Sequence, residues 1–519
     1  MLPPFKNEAL TDFSQPENVA AFQAALDSVK NKLGKTYPLV INGEEILLDD
    51  TFESVNPSRP NEVIGYFANG SAAHVDRAVE AATEAFKSWQ YTSPQERTDI
   101  ILKVAAKLRE RKHEFSALMV LEVGKSWVEA DADTAEAIDF LEYYARQNLR
   151  IADSSDQLAD YEPEDNRLVY IPLGVGAIIP PWNFPVAIPT GMLSASLVTG
   201  NTVVFKPAEQ SPTCGYWIAE LMWECGIPRD ALNFLTGPGE VVGARMVEHP
   251  QTRFVSFTGS REVGVQIYET ASKVQPGQKW LKRAILEMGG KDAVVVDETA
   301  DIDNAVDGIL KSAFGFQGQK CSAGSRAIIV ASVYDTIAEK LVAAAQNLRV
   351  DAPDKGLDVY MGPVIDADAK KKITDYIAIG RNEGELLLGG NTIDTDTGGY
   401  FIAPTIFSNV PGDARIAKEE IFGPVLSLVR AKDFDEALEI ANSTEYGLTG
   451  SVYSSDADRL DRAAREFYVG NLYFNRPCTG ALVGIHPFGG FNMSGTDSKA
   501  GGPDYLLLYT QAKSIALRR

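Results

Sequence analysis

The stretch "NTVVFKPAEQSPTCGYWIAELMWECGIP", residues 201–228, places a short β-branched strand directly before a helix. The valines favour a buried strand, and the helix is delimited by Ser211 at its start and Gly226 at its end. A strand, a turn and a helix in this order are typical of a βαβ unit, whose parallel sheet is covered by helices on both faces. This stretch therefore predicts an α/β fold.

The alternation of strands and helices continues toward the C-terminus in two series. The first has strand-like runs in "LNFLTG" (232–237), "RFVSFTG" (253–259) and "AILEMGG" (284–290). The second begins near Asp292, with strand-like runs in "DAVVVD" (292–297), "RAIIVAS" (326–332) and "VLSLVRA" (425–431). Two series of this kind predict two α/β domains, each with a mainly parallel sheet.

The two ends of the chain follow other patterns. The part before residue 150 is helical, with apolar residues at helical spacing in 71–90, after Ser93 and in 134–149. The tail "YLLLYTQAKSIALRR" (505–519) has the composition of a strand that completes another sheet, and a second subunit could supply that sheet. We therefore expect a homo-oligomer, a dimer or a dimer-based assembly.

Composition limits the partners of the chain. The 519 residues carry a formal net charge of −22, with a pI of about 4.7. This field repels nucleic acid and anionic membrane surfaces, so we expect a small-molecule substrate. The N-terminus shows no secretory signal, and the most apolar stretch, 171–205, is interrupted by Pro180, Pro181, Pro185 and Pro189. We expect a cytoplasmic protein without a membrane segment.

Cysteine and histidine are scarce in this chain. The four cysteines form no CxxC pair, which fits a reducing compartment, and the four histidines show no ligand spacing, so no metal site is predicted. Cys321 differs from the other three because it lies in the glycine-rich loop "FGFQGQKCSAGSR" (314–326). Glycine lets a backbone approach a ligand closely, so Cys321 is either a nucleophile or a small buried residue.

Seven blocks, in this order along residues 45–510, resemble the aldehyde dehydrogenase superfamily. They are "PWNFP" (181–185), "NTVVFKPAEQSP" (201–212), "FTGSREVG" (257–264), "LEMGGKD" (286–292), "GQKCSAGSR" (318–326), "EEIFGPV" (419–425) and "PFGGFNMSG" (487–495). The fifth block and the C-terminal run from 487 resemble in particular the branch that oxidises L-glutamate γ-semialdehyde, formed from 1-pyrroline-5-carboxylate, to L-glutamate in proline and arginine catabolism.

The resemblance implies an α/β fold with a Rossmann-type dinucleotide-binding domain, a second α/β catalytic domain and a small β oligomerisation flap. We expect the helical region and the dinucleotide-binding domain in 1–150 and 171–290. We expect the catalytic domain in 291–486, and the oligomerisation strands in 151–170 and 487–519.

The resemblance also implies three catalytic residues. Cys321 would attack the aldehyde and form a hemithioacetal, whose oxyanion would be held by the Asn183 amide and the Cys321 backbone N–H. Hydride transfer would leave a thioester, and Glu287 would activate the water that hydrolyses it. Burial at a strand end would raise the pKa of Glu287 toward neutrality. The alternatives are a turn residue for Asn183 and a solvated carboxylate for Glu287.

The cofactor implied is NAD. Glu209 would accept the 2′-hydroxyl of the adenosine ribose and repel a 2′-phosphate, although the nearby Lys206 leaves NADP possible. The pyrophosphate would lie at the helix that begins after Gly259 and Ser260, since a helix N-terminus offers free N–H groups. The residues expected at the cofactor are Lys206, Glu209, Ser260, Glu420, Phe422, Trp182 and Gly259. Ordinary core packing is the alternative for Phe422.

The substrate would be held by a second set of residues: Ser322, Gly480, Ala481, Phe184, Phe488 and Glu136. Successive backbone N–H groups around Gly480 and Ala481 could form an anion nest for the carboxylate, with the Ser322 hydroxyl beside it. The two phenylalanines would enclose the aliphatic part, and Glu136 would meet the ammonium. For Glu136 a solvated helix face is the alternative.

Two other functions stay open at this point. One is a dehydrogenase for another small aldehyde, or an enzyme that passes the thioester to coenzyme A, although a hydrolytic base at Glu287 argues against transfer. The other is a structural protein that keeps the fold without turnover. The joint presence of Asn183, Glu287 and Cys321 argues against it.

Overall fold

The computed structural model describes residues 2–153 and 158–519. The α-helices of this part are α1 (Pro16–Lys30), α2 (Ala72–Trp89), α3 (Pro94–Glu110), α4 (Lys112–Glu122), α5 (Trp127–Ala152), α6 (Ala187–Val198), α7 (Pro212–Cys225), α8 (Ala244–Glu248), α9 (Arg261–Ser272), α10 (Ile302–Phe314), α11 (Ala331–Ala345), α12 (Ala367–Glu383), α13 (Arg415–Lys418), α14 (Phe434–Ala441) and α15 (Ala457–Glu466).

The strands are short, and most lie in two large sheets. They are β1 (Lys35–Tyr37), β2 (Leu39–Ile41), β3 (Glu44–Ile46), β4 (Thr51–Asn56), β5 (Arg59–Ala68), β6 (Glu164–Pro172), β7 (Val175–Ile179), β8 (Thr202–Phe205), β9 (Leu232–Phe234), β10 (Thr252–Thr258), β11 (Arg283–Glu287), β12 (Asp292–Val296), β13 (Gly324–Val330), β14 (Glu385–Leu388), β15 (Thr405–Ser408), β16 (Val425–Ala431), β17 (Tyr446–Gly447), β18 (Thr449–Tyr453), β19 (Asn471–Phe474), β20 (Phe491–Asn492) and β21 (Thr510–Arg518).

The first large sheet has seven strands in the order β11-β10-β7-β8-β9-β2-β3. The strands from β11 to β9 are parallel, as the first alternating series predicts. Consecutive residues of β8 face opposite cores: Val203 and Phe205 pack in one apolar cluster, and Val204 packs in another that contains side chains of α2, α8 and α9. The predicted covering of both faces is confirmed.

The second large sheet also has seven strands, in the order β14-β15-β16-β13-β12-β18-β19. All its pairs are parallel except the one between β14 and β15. The Cys321 loop connects α10 to β13, near the centre of this sheet. The predicted α/β fold with two parallel sheets is therefore confirmed, and the nucleophile candidate lies at a central strand.

The tail differs from the expected strand in its first five residues. Tyr505–Tyr509 form a 3₁₀-helix, and the strand β21 begins only at Thr510. The aromatic side chains decide this: Tyr505 stacks on Tyr144 of α5 at 5.3 Å between ring centroids, and the Tyr509 hydroxyl lies 2.9 Å from Ser256 Oγ in β10. A helical turn brings the rings of Tyr505 and Tyr509 close together, so that both point into the protein. In an extended strand, residues four apart would be too far from each other for this packing.

Strand β21 pairs antiparallel with β6 over nine residues, from Thr510 with Pro172 to Arg518 with Glu164. The two form a separate two-stranded sheet. The assignment of 151–170 and 487–519 as oligomerisation strands stays a prediction. Residues 154–157, in the first of these ranges, lie outside the described residues. Met1, in the range predicted for the helical region and the dinucleotide-binding domain, lies outside them as well. Within 2–153 and 158–519, no helix has the length and apolar character needed to cross a membrane.

Candidate active site

The Cys321 loop is held in an unusual backbone conformation. Phe316 and Gln317 adopt left-handed φ values of 50° and 58°, which non-glycine residues rarely do. The Gln317 side chain fixes this turn because its Nε2 donates to the carbonyls of Gly124, at 3.1 Å, and Pro363, at 2.8 Å. Strain of this kind is found where a backbone must present a reactive group.

Strand β11 brings Glu287 to the same place. The segment after it approaches the Cys321 loop so closely that a Cβ at Gly290 would lie 2.6 Å from the Cys321 carbonyl oxygen. A Cβ at Gly289 would meet only the carboxylate end of the flexible Glu420 side chain, at 2.2 Å. Glycine is required at Gly290, where the obstacle is backbone, and this close approach puts the end of the first sheet against the Cys321 loop.

Cys321 is half-buried among carboxyl groups. Burial raises the pKa of its thiol well above the usual range, and the charges of Asp292, Glu287 and Glu420 raise it further. The backbone N–H of Ser322 acts in the opposite direction. The protein alone therefore holds Cys321 as a thiol, and the thiolate that attacks a carbonyl needs a proton acceptor or a nearby positive charge.

Glu287 is buried, with 9% of its surface exposed. Burial raises the pKa of its carboxyl group to about 8, although a hydrogen bond from the Ser498 hydroxyl lowers it. Its Oε2 atom is buried without a hydrogen-bond partner in the described part of the chain. A carboxyl group with a pKa near neutrality and one free oxygen has the properties of a general base. It is not the solvated strand-end carboxylate of the alternative prediction.

Asn183 reaches the Cys321 loop from the turn before α6. Its Nδ2 donates to the Gln319 carbonyl at 3.1 Å, and the residue is 4% exposed. The amide has a second hydrogen, and the backbone N–H of Cys321 donates to no protein atom in residues 2–153 and 158–519. The site therefore offers two donors beside the thiol, which is the arrangement an oxyanion needs.

Four of the predicted cofactor residues follow the carboxyl ends of strands β8 and β10 in the first sheet. Lys206 is buried, and its Nζ donates to Glu209 Oε1 at 3.0 Å, while the Glu209 carboxylate stays partly exposed. Ser260 caps α9 by accepting the Val263 N–H at 3.4 Å. Gly259 N–H donates to the Glu287 carbonyl at 3.0 Å. The turn that would carry a pyrophosphate is thus hydrogen-bonded to the backbone of Glu287, the predicted base.

Trp182 and Phe422 are in contact, with ring centroids 5.6 Å apart in an edge-to-face arrangement. Phe422 has a left-handed φ of 60°, and its ring is half-buried rather than enclosed in a core. Glu420 Oε1 accepts the Gly290 N–H at 3.1 Å. Glu420 and Phe422 also line one small pocket with Gly290 and Lys320, and the contact of these residues with the nicotinamide ribose and ring stays a prediction.

The turn after Cys478 presents free N–H groups. Arg476 Nη2 donates to the carbonyls of Thr479 and Gly480, both at 2.8 Å, and Gly480 has a left-handed φ of 77°. The N–H groups of Thr479, Gly480 and Ala481 donate to no protein atom in the described ranges. Peptide planes fixed by their carbonyls in this way leave the N–H groups for an anion. We call residues 479–481 the anion turn.

Ser322 and Phe488 are each tied to another segment of the chain by hydrogen bonds. The Ser322 carbonyl accepts a hydrogen bond from Cys478 Sγ at 3.3 Å, which places Ser322 beside the anion turn. Phe488 exchanges two backbone hydrogen bonds with Ala500, at 2.8 and 2.7 Å. The predicted substrate residues are therefore fixed to neighbouring segments of the chain.

Glu136 and Phe184 surround a buried cation that sequence reasoning missed. Lys125 Nζ lies 2.9 Å from Asp133 Oδ2, with both side chains fully buried, and 3.9 Å from the centre of the Phe184 ring. Burial and the neighbouring charge of Asp133 raise the pKa of Glu136 to about 8. The Glu136 side chain is half-buried rather than fully exposed on a solvated helix face, and its contact with a substrate ammonium stays a prediction. A ligand ammonium would keep this carboxyl group ionised.

Ser498 and Arg476 are two further residues that sequence reasoning missed. Their roles depend on tertiary contacts with Glu287 and with the anion turn, so no spacing in the sequence identifies them. A lysine in the mainly apolar stretch 115–127, where the only other charged residue is Glu122, is a signal that could have drawn attention to Lys125. Within 2–153 and 158–519 no group of three metal-ligating side chains is present.

The comparisons with known proteins agree with this geometry. The model of the aldehyde dehydrogenase family matches residues 47–515. Over 516 residues the chain is 56% identical to 1-pyrroline-5-carboxylate dehydrogenase from Geobacillus sp. (strain WCH70) and 54% identical to 1-pyrroline-5-carboxylate dehydrogenase 2 from Bacillus subtilis (strain 168), with 99% of each chain covered. A crystal structure of 1-pyrroline-5-carboxylate dehydrogenase from Thermus with bound NAD matches with a TM-score of 0.98 at 51% identity, and the match covers 100% of both chains.

Proposed function

The chain belongs to the aldehyde dehydrogenase family, and from this premise we propose that it oxidises L-glutamate γ-semialdehyde to L-glutamate while reducing NAD. This is the reaction of 1-pyrroline-5-carboxylate dehydrogenase, the name its relatives carry. The observation that carries the proposal is the placement of the Asn183 amide on the Gln319 carbonyl, two residues before Cys321, with Glu287 against the same loop.

The first step is attack of the Cys321 sulfur on the aldehyde carbon. The thiol loses its proton, a C–S bond forms, and the carbonyl oxygen becomes an oxyanion. The Asn183 Nδ2 and the Cys321 N–H donate to this oxygen in a site that excludes most water, where such bonds are strongest. The Glu287 carboxylate, with a pKa of about 8, is the acceptor that the site offers for the thiol proton.

The residues at the edge of the first sheet fit NAD. The Glu209 carboxylate would bond the ribose 2′-hydroxyl, and Ser260, the N-cap of α9, would lie beside the pyrophosphate. When bound, NAD supplies the hydride acceptor, and its positive charge would oppose the carboxyl groups that keep Cys321 protonated.

The last step is hydrolysis of the thioester on Cys321. Glu287 removes a proton from water, the resulting hydroxide adds to the acyl carbon, and the C–S bond breaks to release the carboxylic acid and the thiol. The buried, unpaired Oε2 of Glu287 is the atom placed for this role. An acceptor such as coenzyme A would not need this base, so hydrolysis is favoured over transfer.

The head group of the substrate carries one negative and one positive charge. The three free N–H groups of the anion turn and the Ser322 hydroxyl would bind the carboxylate, and Glu136 would bind the ammonium. Phe184 and Phe488 would enclose the methylene groups. The global charge of −22 repels anions, so a local trap of this kind is required.

We also propose that the protein is cytoplasmic and forms a homo-oligomer through the sheet of β6 and β21. Nine paired residues at the end of the chain hold this sheet together, and Ile171 and Leu517 expose apolar side chains on it. Size-exclusion chromatography with light scattering on the full chain and on a variant truncated before Thr510 tests the oligomer.

The function is tested by comparing kcat/KM for glutamate semialdehyde, succinate semialdehyde and propanal, each with NAD and with NADP. We expect a clear preference for glutamate semialdehyde with NAD. Ser322→Ala should reduce that preference, and Ser325→Ala, in strand β13 just after the loop, should leave it unchanged. A preference of the native enzyme for propanal would overturn the assignment of the anion turn.

A further inference from the structure

The first residues of the chain reach the substrate end of the cleft. We call residues 2–12 the N-terminal arm. Phe5 packs edge-on against Tyr143 of α5, with ring centroids 5.1 Å apart, and lies so close to Gly484 that a Cβ there would be 2.9 Å from the Phe5 ring. Nothing in the sequence pattern connects Phe5 with Gly484, and the two residues are separated by more than 450 positions.

Asn7 of the arm joins two elements of the substrate site. Its Nδ2 donates one hydrogen to Asp139 Oδ2 at 2.8 Å and the other to the Val483 carbonyl at 3.0 Å. The Glu8 N–H donates to Asp139 Oδ1 at 2.6 Å, so both oxygens of this carboxylate are used. Burial raises the pKa of Asp139 only to about 6, so the carboxylate is ionised at neutral pH and accepts charge-assisted bonds.

The two partners of Asn7 lead to opposite poles of the proposed head-group site. Asp139 lies three residues after Glu136 in α5, on the same face of the helix. Val483 lies two residues after Ala481, at the end of the anion turn. A single side-chain amide thus connects the helix that carries the ammonium ligand to the turn that carries the carboxylate ligands.

We propose that Asn7 is a positioning residue that sets the distance between the anion turn and Glu136, and so contributes to selection of an α-amino acid aldehyde. The inference rests on the proposed function. A substrate whose two charges are separated by one carbon requires this distance to be fixed, because each bond to a charged group depends steeply on its length. Arg476 fixes the internal shape of the turn, whereas Asn7 fixes its position relative to α5.

The test separates this role from simple anchoring of the arm. Thr11 anchors the same arm through Oγ1 to Asp131 Oδ1 at 2.6 Å and has no bond to the turn, so Thr11→Ala is the matched control. Asn7→Ala should raise KM for glutamate semialdehyde roughly fivefold to thirtyfold with little change in kcat, as expected for loss of bonds to a charged partner and a positioned carbonyl. The inhibition constant of L-glutamate, which has the same head group, should rise by a similar factor.

Propanal lacks the head group, so its kcat/KM should stay within about twofold of the native value in Asn7→Ala. Asn7→Asp, which keeps the shape but places a second carboxylate against Asp139, should show the same selective defect and provides a second variant of nearly unchanged volume. Thr11→Ala should leave KM for glutamate semialdehyde, the inhibition constant of L-glutamate and kcat/KM for propanal unchanged.

Two results would overturn the inference. One is an equal loss of kcat/KM for glutamate semialdehyde and propanal in both Asn7 variants, which would indicate a structural role alone. The other is an unchanged L-glutamate inhibition constant. If the native enzyme itself shows no preference for glutamate semialdehyde over propanal, the proposed function fails along with the inference; if that preference is present but survives in both Asn7 variants, the inference fails alone.

Discussion

The Asn183 side chain donates to the Gln319 carbonyl at 3.1 Å and so rests on the backbone that leads into Cys321. This bond orients the amide and leaves its second hydrogen without a partner in the described part of the chain. The proposed oxyanion donor and the proposed nucleophile are therefore held together by a hydrogen bond between two loops, one next to each large sheet.

Replacing Asn183 by alanine should lower kcat about 10²-fold to 10³-fold, the usual cost of one oxyanion donor. KM for the aldehyde should change little, because the donor acts on charge that develops only after attack. Steady-state kinetics with NAD at saturation measure both constants. Asn148→Ala, at another buried asparagine in α5, is the control for general disturbance of the fold. A similar kcat for both variants would contradict the role of Asn183.

The pH dependence of thioester hydrolysis should follow Glu287. Its carboxyl group has a pKa of about 8, so the base is mostly protonated at pH 7 and ionised above pH 9. The rate of product release in a single turnover should rise about tenfold per pH unit below the pKa and level off above it. Ser498→Ala removes a hydrogen bond that lowers this pKa, so the midpoint should move to higher pH. A flat profile would exclude Glu287 as the base.

Cofactor choice should depend on the Glu209 carboxylate. Glu209→Gln removes a negative charge that opposes a 2′-phosphate and releases Lys206 from its 3.0 Å ion pair. We expect the ratio of kcat/KM for NADP to that for NAD to rise about tenfold, which corresponds to roughly 1.4 kcal/mol. Glu224→Gln, an exposed change at the end of α7, should leave the ratio unchanged. An unaltered ratio in Glu209→Gln would place the ribose elsewhere.

Breaking the buried Lys125–Asp133 ion pair should lower the free energy of unfolding far more than breaking an ion pair on the surface. Both side chains are fully buried, so Lys125→Met leaves an uncompensated carboxylate and should cost roughly 3–5 kcal/mol. The double change Lys125→Met with Asp133→Asn should recover most of this loss, since the amide keeps an acceptor for the Ala187 N–H. Urea denaturation measures these differences.

The control for this prediction is the ion pair of Arg465 and Asp461, whose side chains are 68% and 67% exposed. Breaking it by Asp461→Ala should cost less than about 1 kcal/mol. Equal losses for Lys125→Met and Asp461→Ala would show that the buried pair is not required for the fold.

Sequence patterns predicted the parts of the fold that depend on local order. The strands around Val203, Phe254 and Val294 and the helices between them were identified because β-branched runs and capping residues are local signals. The strand predicted at Tyr505 was wrong, because packing of its ring against Tyr144 overrides the strand-like composition.

In the candidate site too, sequence motifs identified some residues, whereas others depend on tertiary contacts. Cys321, Asn183 and Glu287 were predicted because they lie in blocks that resemble a known family, and the structure places them close together. Asn7 was missed because it acts through Val483, far away in the chain, and no spacing encodes such a contact. Lys125 was missed because its burial beside Asp133 and Phe184 is a product of the tertiary fold. The raised pKa of Glu136 also follows from burial, which composition does not give.

The central claim is that the substrate becomes covalently attached to Cys321 and that Glu287 is needed to release it. Rapid-quench mass spectrometry of Glu287→Gln, mixed with glutamate semialdehyde and NAD, tests this most directly. We predict that one acyl group per chain accumulates on the peptide that contains Cys321, in step with reduction of NAD. Reduction of NAD without any acyl group on Cys321, or an acyl group on another residue, would contradict the account.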